Sequence, residues 1–184
     1  EVAAHDVRRI DRLVSEISEA SRIDAELSRA TFEAVDLAAL FTNVVAAKQA
    51  RGQTRDCRIT VENGGGPALV LGVPLRLERI AENLIDNAVS FSPPEGRIMV
   101  RAISDGEQWA VLVCDEGPGI PEDAREKVFR RFHSLRPQEE SFGNHSGLGL
   151  AIARTIAEAH GGSLEALADS PLGGACLQLN LPAA

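Results

Sequence analysis

The sequence predicts an α+β protein: a two-layer α/β sandwich, with a mixed sheet packed on helices, preceded by a long N-terminal helix. Three observations predict it. Helical and strand-like periodicities alternate from residue 36 to residue 181 without regular strand–helix–strand units. Glycine and proline clusters punctuate that alternation. Residues 5 to 29 form a separate stretch with apolar positions at Val7, Ile10, Val14, Ile17, then Ala20 or Ser21, and Leu27, with acids and arginines between. Such 3-4-3 spacing is a stripe for a coiled coil or bundle, and it needs a partner helix that the chain does not supply internally. The expected division is therefore a helix in residues 1–30 and a compact domain in 31–184.

Along the domain, Asp36 is placed to cap a helix running to about Ala50, with Leu37, Leu40, Phe41, Val44 and Val45 on one face. Arg58 to Glu62 and Ala68 to Leu71 read as short strands around the turn at residues 63–67. Pro74 opens a helix to about Val89, stopped by Ser92-Pro93-Pro94. Strands Arg97 to Ser104 and Gln108 to Asp115 flank the Asp105-Gly106 turn. A short helix from about Pro121 leads into residues 133 to 146, a polar stretch expected to form a loop. A helix from Gly147 to Ala159 ends at Gly161-Gly162, and strands Ser163 to Ala168 and Gly174 to Leu181 follow.

A hydrophobic content of 44% and a charged content of 25% suit a globular protein, and the net charge of −8 argues against broad contact with nucleic acid or an anionic membrane. No apolar run approaches the roughly 20 residues of a membrane span. The chain starts at Glu1, which is read as the start of a piece of something longer. Cys57, Cys114 and Cys176 lie far apart without histidines at ligand spacing, so reduced buried thiols are expected and a zinc site is not.

Three segments carry residues suited to one nucleotide. In Glu82-Asn83-Leu84-Ile85-Asp86-Asn87-Ala88, Asn83 and Asn87 are four apart, so both amides leave one helix face. An amide oxygen is a hard, neutral ligand that suits Mg²⁺. Two asparagines would also fit a solvated face, and Glu82 and Asp86 are ambiguous. Asp115 ends an apolar strand and is followed by Gly117, Gly119 and Ile120. A rigid carboxylate there can accept from the exocyclic amine of adenine and would refuse guanine, although Asp-Gly turns are common. Ser146-Gly147-Leu148-Gly149 opens a helix, where glycine-permitted amides suit an anion, as they also suit a plain helix start. Before the loop, Phe129 and Phe132 at i, i+3 are expected to anchor its base in the core, and either Arg131 or Arg136 could reach a γ-phosphate.

Taken together, these segments resemble the ATP-binding domain of bacterial sensor histidine kinases. The Asn83/Asn87 segment resembles the family's N box, Asp115-x-Gly117-x-Gly119 its G1 box, Phe129 to Phe132 its F box and Ser146 to Gly149 its G2 box. Residues 22–27 and Val35-Asp36-Leu37 resemble the end of the dimerisation hairpin and its link to the ATP domain. Details in residues 87–93 and 142–147 resemble the ChvG-type envelope-sensing kinases. The resemblance implies the Bergerat ATP-binding fold. It implies ATP bound by Asn83, Asn87, Asp115, Gly117, Gly119, Ile120, Phe132, Ser146, Gly147, Leu148 and Gly149, with Mg²⁺ on Asn87 and Asn83 assisting. Residues 133 to 146 would be the ATP lid, and Asn83, Arg131 and Arg136 would serve catalysis. The implied reaction passes the γ-phosphoryl of ATP to a histidine on a helical hairpin and then to an aspartate of a response regulator. The implied setting is a cytoplasmic domain of an inner-membrane parent, homodimeric through residues 5–29.

This sequence departs from the family pattern in two places. Ser90 and Phe91 stand where many relatives carry lysine and tyrosine. His5-Asp6-Val7-Arg8 looks like the phosphoacceptor box, but no Thr-Pro follows and His5 precedes Asp24 by only 19 residues (24 − 5). His5 is therefore read as a surface residue and the acceptor as lying upstream. The expectation is a piece that binds ATP and does not complete autophosphorylation alone. The alternative is a nucleotide-gated interaction module without transferase activity.

Overall fold

The computed structural model describes residues 30–64, 66–104, 106–133 and 147–184. The stripe of residues 5–29, and with it the expected dimer contact, lies outside the described residues.

Strand β1 (Glu33–Asp36) leads directly into helix α1 (Leu37–Ala50). Asp36 makes the junction. Its Oδ1 accepts from the N–H groups of Ala38 at 3.0 Å and Ala39 at 3.3 Å, and also from Ala68 at 3.2 Å. One carboxylate thus caps the helix, as its position predicts, and ties it to the start of β3 (Leu69–Gly72). Strand β2 (Arg58–Asn63) lies between α1 and β3 in the chain, and helix α2 (Pro74–Phe91) follows β3. Proline at the first position of α2 costs nothing, because that N–H has no partner inside the helix. Leu77, Ile80, Ala81, Leu84, Ile85, Ala88 and Val89 form its buried stripe, spaced at three and four residues.

Strands β4 (Arg97–Ser104) and β5 (Gln108–Asp115) form the antiparallel centre of a five-stranded sheet. After two short 3₁₀ turns, Glu122–Ala124 and Lys127–Phe129, come helix α3 (Gly149–Ala159) and strands β6 (Ser163–Ala166) and β7 (Cys176–Pro182). The sheet order is β2-β4-β5-β7-β6, with β2 parallel to β4 and the other pairs antiparallel. The mixed sheet expected from the sequence is therefore present.

All three helices cover one face, so Ile98, Val100 and Ala102 of β4 and Val111 and Val113 of β5 point into the core with Leu177, Leu179 and Leu181 of β7. The other face carries a smaller apolar cluster, Met99 with Cys114 and Cys176, beside polar residues: Arg101 pairs with Glu62 across it at 2.7 Å. Helix α1 is tied to α2 by Lys48, whose Nζ lies 2.7 Å from Asp86 Oδ1.

Two expectations, on the cysteines and on Phe132, are corrected here. The two strands expected on either side of residues 63–67 are present, as β2 and β3. β3 joins β1 in a separate two-stranded ribbon while β2 joins β4, because α2 must cross over between parallel β2 and β4. Cys114 and Cys176 are not reduced thiols. They sit opposite each other in the register of β5 and β7 and are joined as a disulfide, leaving Cys57 as the free, buried cysteine. Phe132 is not in the core: the turn that buries Phe129 ends there, Arg130 is extended and Phe132 takes a positive φ of 62°, so helical i, i+3 geometry no longer holds. Its ring is 59% exposed.

Candidate nucleotide-binding site

Asp115 is the last residue of β5 and is only 2% exposed. Its Oδ1 accepts two backbone hydrogen bonds, from Gly117 at 2.8 Å and from Ala175 at 3.1 Å. The main chain closes around it too: Asp115 N–H donates to Ala175 O at 2.9 Å and Gly174 N–H donates to Asp115 O at 3.1 Å. Both side-chain bonds use Oδ1, so Oδ2 is left for a donor from outside. Burial pushes the carboxyl pKa above its ordinary value, against the pull of the two N–H groups.

Glycine is required around this carboxylate by close approach. A Cβ on Gly117 would lie 2.7 Å from Phe91 O and 2.9 Å from Asp115 Oδ1, and one on Gly174 would run into Asp115 and the Gly117 N–H. Gly119 supplies a left-handed turn at φ 76°, and the half-buried Ile120 after it packs on the core.

Helix α2 spans the site. Near its middle, Asn83 faces the start of α3 so closely that a Cβ on Gly149 would come within 3.2 Å of its Oδ1. The Asn83 Nδ2 is buried and has no hydrogen-bond partner. An orphaned buried amide is costly, and a ligand or bridging water resolves it. At the far end of the same helix, Phe91 O meets Gly117. The two contacts are eight residues apart, about 12 Å along the axis, with the half-buried Asn87 between them. Among the described residues no group of three His, Cys, Asp or Glu side chains could hold a metal ion. The asparagine amides are the hard oxygen donors that fit a magnesium carried in on phosphates.

Two strands of chain meet before α3. Phe132 N–H donates to Gly147 O at 3.0 Å, and a Cβ on Gly147, which has φ 71°, would lie 3.0 Å from His133 O. Residues 132–133 and 147 are thereby held together. Arg136 and Ser146 fall inside that segment and lie outside the described residues. Leu148 is fully buried and roots the turn in the core. Arg131 is exposed and lines a groove of about 340 Å³ with Arg130, Glu126, Phe129, Arg154 and Thr155. Arg154 crosses that groove, bonding Glu126 at 3.0 Å and Glu158 at 3.1 Å above the Phe129 ring. Glu82 pairs with Arg79 at 3.4 Å rather than standing free.

The structure thus brings Asn83 against Gly149 and sets Asp115 among Gly117, Gly174 and Ala175. Gly174 and Ala175 escaped the sequence reading. The only signal was the Gly173-Gly174 pair ahead of a strand, and its meaning appears once β7 is laid beside β5.

A five-stranded mixed sheet covered on one face by three helices, with a buried strand-end carboxylate opposite a glycine-opened helix, defines an ATP-binding sandwich of the Bergerat type. The family model described as "Histidine kinase-, DNA gyrase B-, and HSP90-like ATPase" matches residues 72–184, and the chain belongs to that family. It is 44% identical over 194 residues to the sensor protein ChvG of Rhizobium meliloti (strain 1021), covering 100% of this chain and 34% of that protein. Against ChvG of Agrobacterium fabrum (strain C58 / ATCC 33970) it is again 44% identical, over 195 residues, covering 100% of this chain and 33% of the relative. The chain therefore spans about a third of the length of these curated relatives. Among solved structures it is similar to a mycobacterial sensor histidine kinase, MprB, with a TM-score of 0.68 and 32% identity, covering 82% of this chain and 97% of that one.

Proposed function

We propose that this chain is the ATP-binding catalytic part of a sensor histidine kinase of the ChvG type, working in the cytoplasm as part of a membrane-anchored parent. The observation that carries the reading is a pair of unfilled polar positions along one helix, one beside the C-terminal end of α2 and one near its middle. Asp115 Oδ2 has no partner beside Gly117, and Asn83 Nδ2 has none beside Gly149.

Asp115 accepts from the exocyclic amine of adenine, with Gly117, Gly119 and Ile120 bounding the base. Guanine presents an acceptor at that position and leaves two acceptors facing each other. Asn87, with Asn83 assisting, would hold Mg²⁺ through amide oxygens, and the ion would supply charge neutralisation for the phosphates. The N–H groups of Gly147, Leu148 and Gly149 and the Ser146 hydroxyl cradle the phosphates. Phe132, its ring already exposed, lies against the bound nucleotide, while Arg131 or Arg136 closes on the γ-phosphate. A histidine nitrogen on the acceptor hairpin attacks the γ-phosphorus, the bond to the bridging oxygen breaks and ADP departs. The phosphoryl then passes to a response-regulator aspartate. The domain's part in this is positioning and charge neutralisation.

The test is to supply the purified acceptor hairpin of the parent kinase together with Mg²⁺ and γ-labelled ATP. Acid-labile phosphohistidine on the hairpin, absent with Asn87→Ala, is the expected result. ATP binding without any transfer would instead support a nucleotide-gated interaction module.

A further inference from the structure

Two reactive side chains border the candidate site and take no part in binding ATP. Cys114 and Cys176 face each other as the last rung of the β5–β7 ladder and are joined as a disulfide. Strand alternation puts them on the sheet face away from the helices, where Met99 and the partly buried Leu112, Leu167 and Leu172 pack around them. Each is one residue from the carboxylate's surroundings: Cys114 precedes Asp115, and Cys176 follows Ala175. Just beyond this rung, residues 174 and 175 hold Asp115 by hydrogen bonds. Gly174 N–H donates to Asp115 O, Ala175 N–H to Asp115 Oδ1, and Asp115 N–H to Ala175 O.

Both cysteines are buried, and part of their cover comes from the connection between β6 and β7, residues 167–175, which contains no helix or strand. Lifting that connection uncovers the sulfurs. The same movement takes Gly174 and Ala175 away from Asp115, so access to the disulfide and the hold on the carboxylate are one event. A cytoplasm keeps most thiols reduced, and a pair that closes there is more often transient or sensing than structural. The third cysteine does not compete. Cys57 is buried just before β2, and burial pushes its thiol pKa up, which keeps it protonated and unreactive.

We propose that Cys114 and Cys176 are a redox-modification site at which exchange with a dithiol or a disulfide adjusts ATP binding. In reduction, a thiolate of the dithiol attacks Cys176 Sγ, the protein S–S bond breaks, and Cys114 leaves as a thiolate that takes up a proton. The second thiol of the reagent then displaces Cys176, which also takes up a proton, and the reagent departs as a disulfide. The two electrons gained by the cysteines are those the dithiol loses. Exchange of the dithiol form with a small disulfide runs the other way and restores the bond. Oxidised, the pair pins Ala175 beside Asp115; reduced, it leaves the end of the ladder free to part. By linkage, the factor by which the disulfide favours ATP is the factor by which ATP favours the disulfide. The effect on ATP rests on the reading of Asp115 as the adenine contact, whereas the redox site and its effect on residues 173–175 do not.

The test compares the full 184-residue chain after dithiothreitol with the same chain after oxidised glutathione. Each form is denatured and alkylated, and its mass gives the number of free thiols. One is expected after oxidised glutathione, on Cys57, and three after dithiothreitol. Calorimetry on the native chain should show ATP bound at least about fivefold more weakly in the reduced form. Amides of residues 173–175 should exchange at least about fivefold faster there, and oxidised glutathione should reverse both changes. Cys176→Ala should behave as the reduced chain and ignore both reagents; if it does not fold, the wild-type comparison decides. Three thiols after oxidised glutathione, or amide exchange changed by less than fivefold, overturns the proposal. So does ATP bound with affinities within fivefold in the two forms, or a reduced chain that no longer melts cooperatively, since the bond is then structural. If neither form binds ATP while the amides respond, the adenine reading of Asp115 fails and the redox site stands.

Discussion

Replacing Asp115 by asparagine changes one atom of a side chain whose two oxygens have different tasks. The Oδ1 bonds to Gly117 and Ala175 survive, because asparagine keeps that acceptor. Oδ2 becomes an NH₂ group that meets the adenine amine donor to donor. Loss of a hydrogen bond to a charged acceptor is worth about 1.5–3 kcal/mol, and a buried mismatched donor adds to that. At 1.4 kcal/mol per tenfold, ATP affinity should fall by about 100-fold or more. Stability should move the other way. The folded pKa of Asp115 is raised by burial, so its contribution to stability is fully present only below the unfolded value and is lost as pH rises through the folded one. The desolvated carboxylate opposes folding to the extent that it is ionised, and its neutral replacement should make the apo domain more stable as pH rises. Calorimetric titration with ATP and urea denaturation at pH 7 read the two effects separately. ATP affinity retained within about threefold, or a clear loss of stability, would refute the division of labour between the two oxygens.

The other predictions concern the same framework. Gly174→Ala should cost more than about 2 kcal/mol in urea denaturation and abolish ATP binding, since its Cβ has no room beside Asp115 and Gly117. Gly149→Ala sits at a helix start where alanine is welcome, so stability should change by less than about 0.5 kcal/mol. The new Cβ nevertheless displaces the Asn83 amide, and calorimetry should show Mg-ATP affinity reduced by roughly tenfold. His160 is held neutral in the fold: its pKa is lowered by burial, against the bond to Ile156 O. Its contribution is complete above the ordinary histidine value and is lost as pH falls below it toward the folded one, at up to about 1.4 kcal/mol per pH unit. Urea midpoints measured from pH 8 to pH 5 should decline below about pH 6.5 in the wild type and decline less steeply in His160→Asn.

What could be read from the chain follows the range of the forces involved. β4 and β5 keep their predicted ends because alternating apolar residues and the turn at 105–106 settle them locally. α2 starts at Pro74 as expected and overruns Val89 by two residues, since Phe91 still satisfies the helix before Ser92-Pro93. α3 begins at Gly149 rather than Gly147, whose left-handed backbone cannot belong to a helix. β1 carries no alternation that would announce it in four residues, and its pairing with β3 exists only in three dimensions. The same limit applied to the site. Asn83 and Asp115 each stand out by residue type and position. The support from Gly174 and Ala175 comes 60 residues later in the chain and depends on β5 lying beside β7. Phe132 was misplaced for a related reason: helical spacing was assumed across a turn that ends at Phe129.

The most direct measurement is calorimetric titration of the wild-type chain with ATP and with GTP, each with and without Mg²⁺. ATP binding that needs Mg²⁺ for full strength, with GTP weaker by at least about 100-fold, is the result predicted by a carboxylate at one end of α2 and two amides along it. Equal binding of ATP and GTP, or no binding by a chain that melts cooperatively, would contradict it.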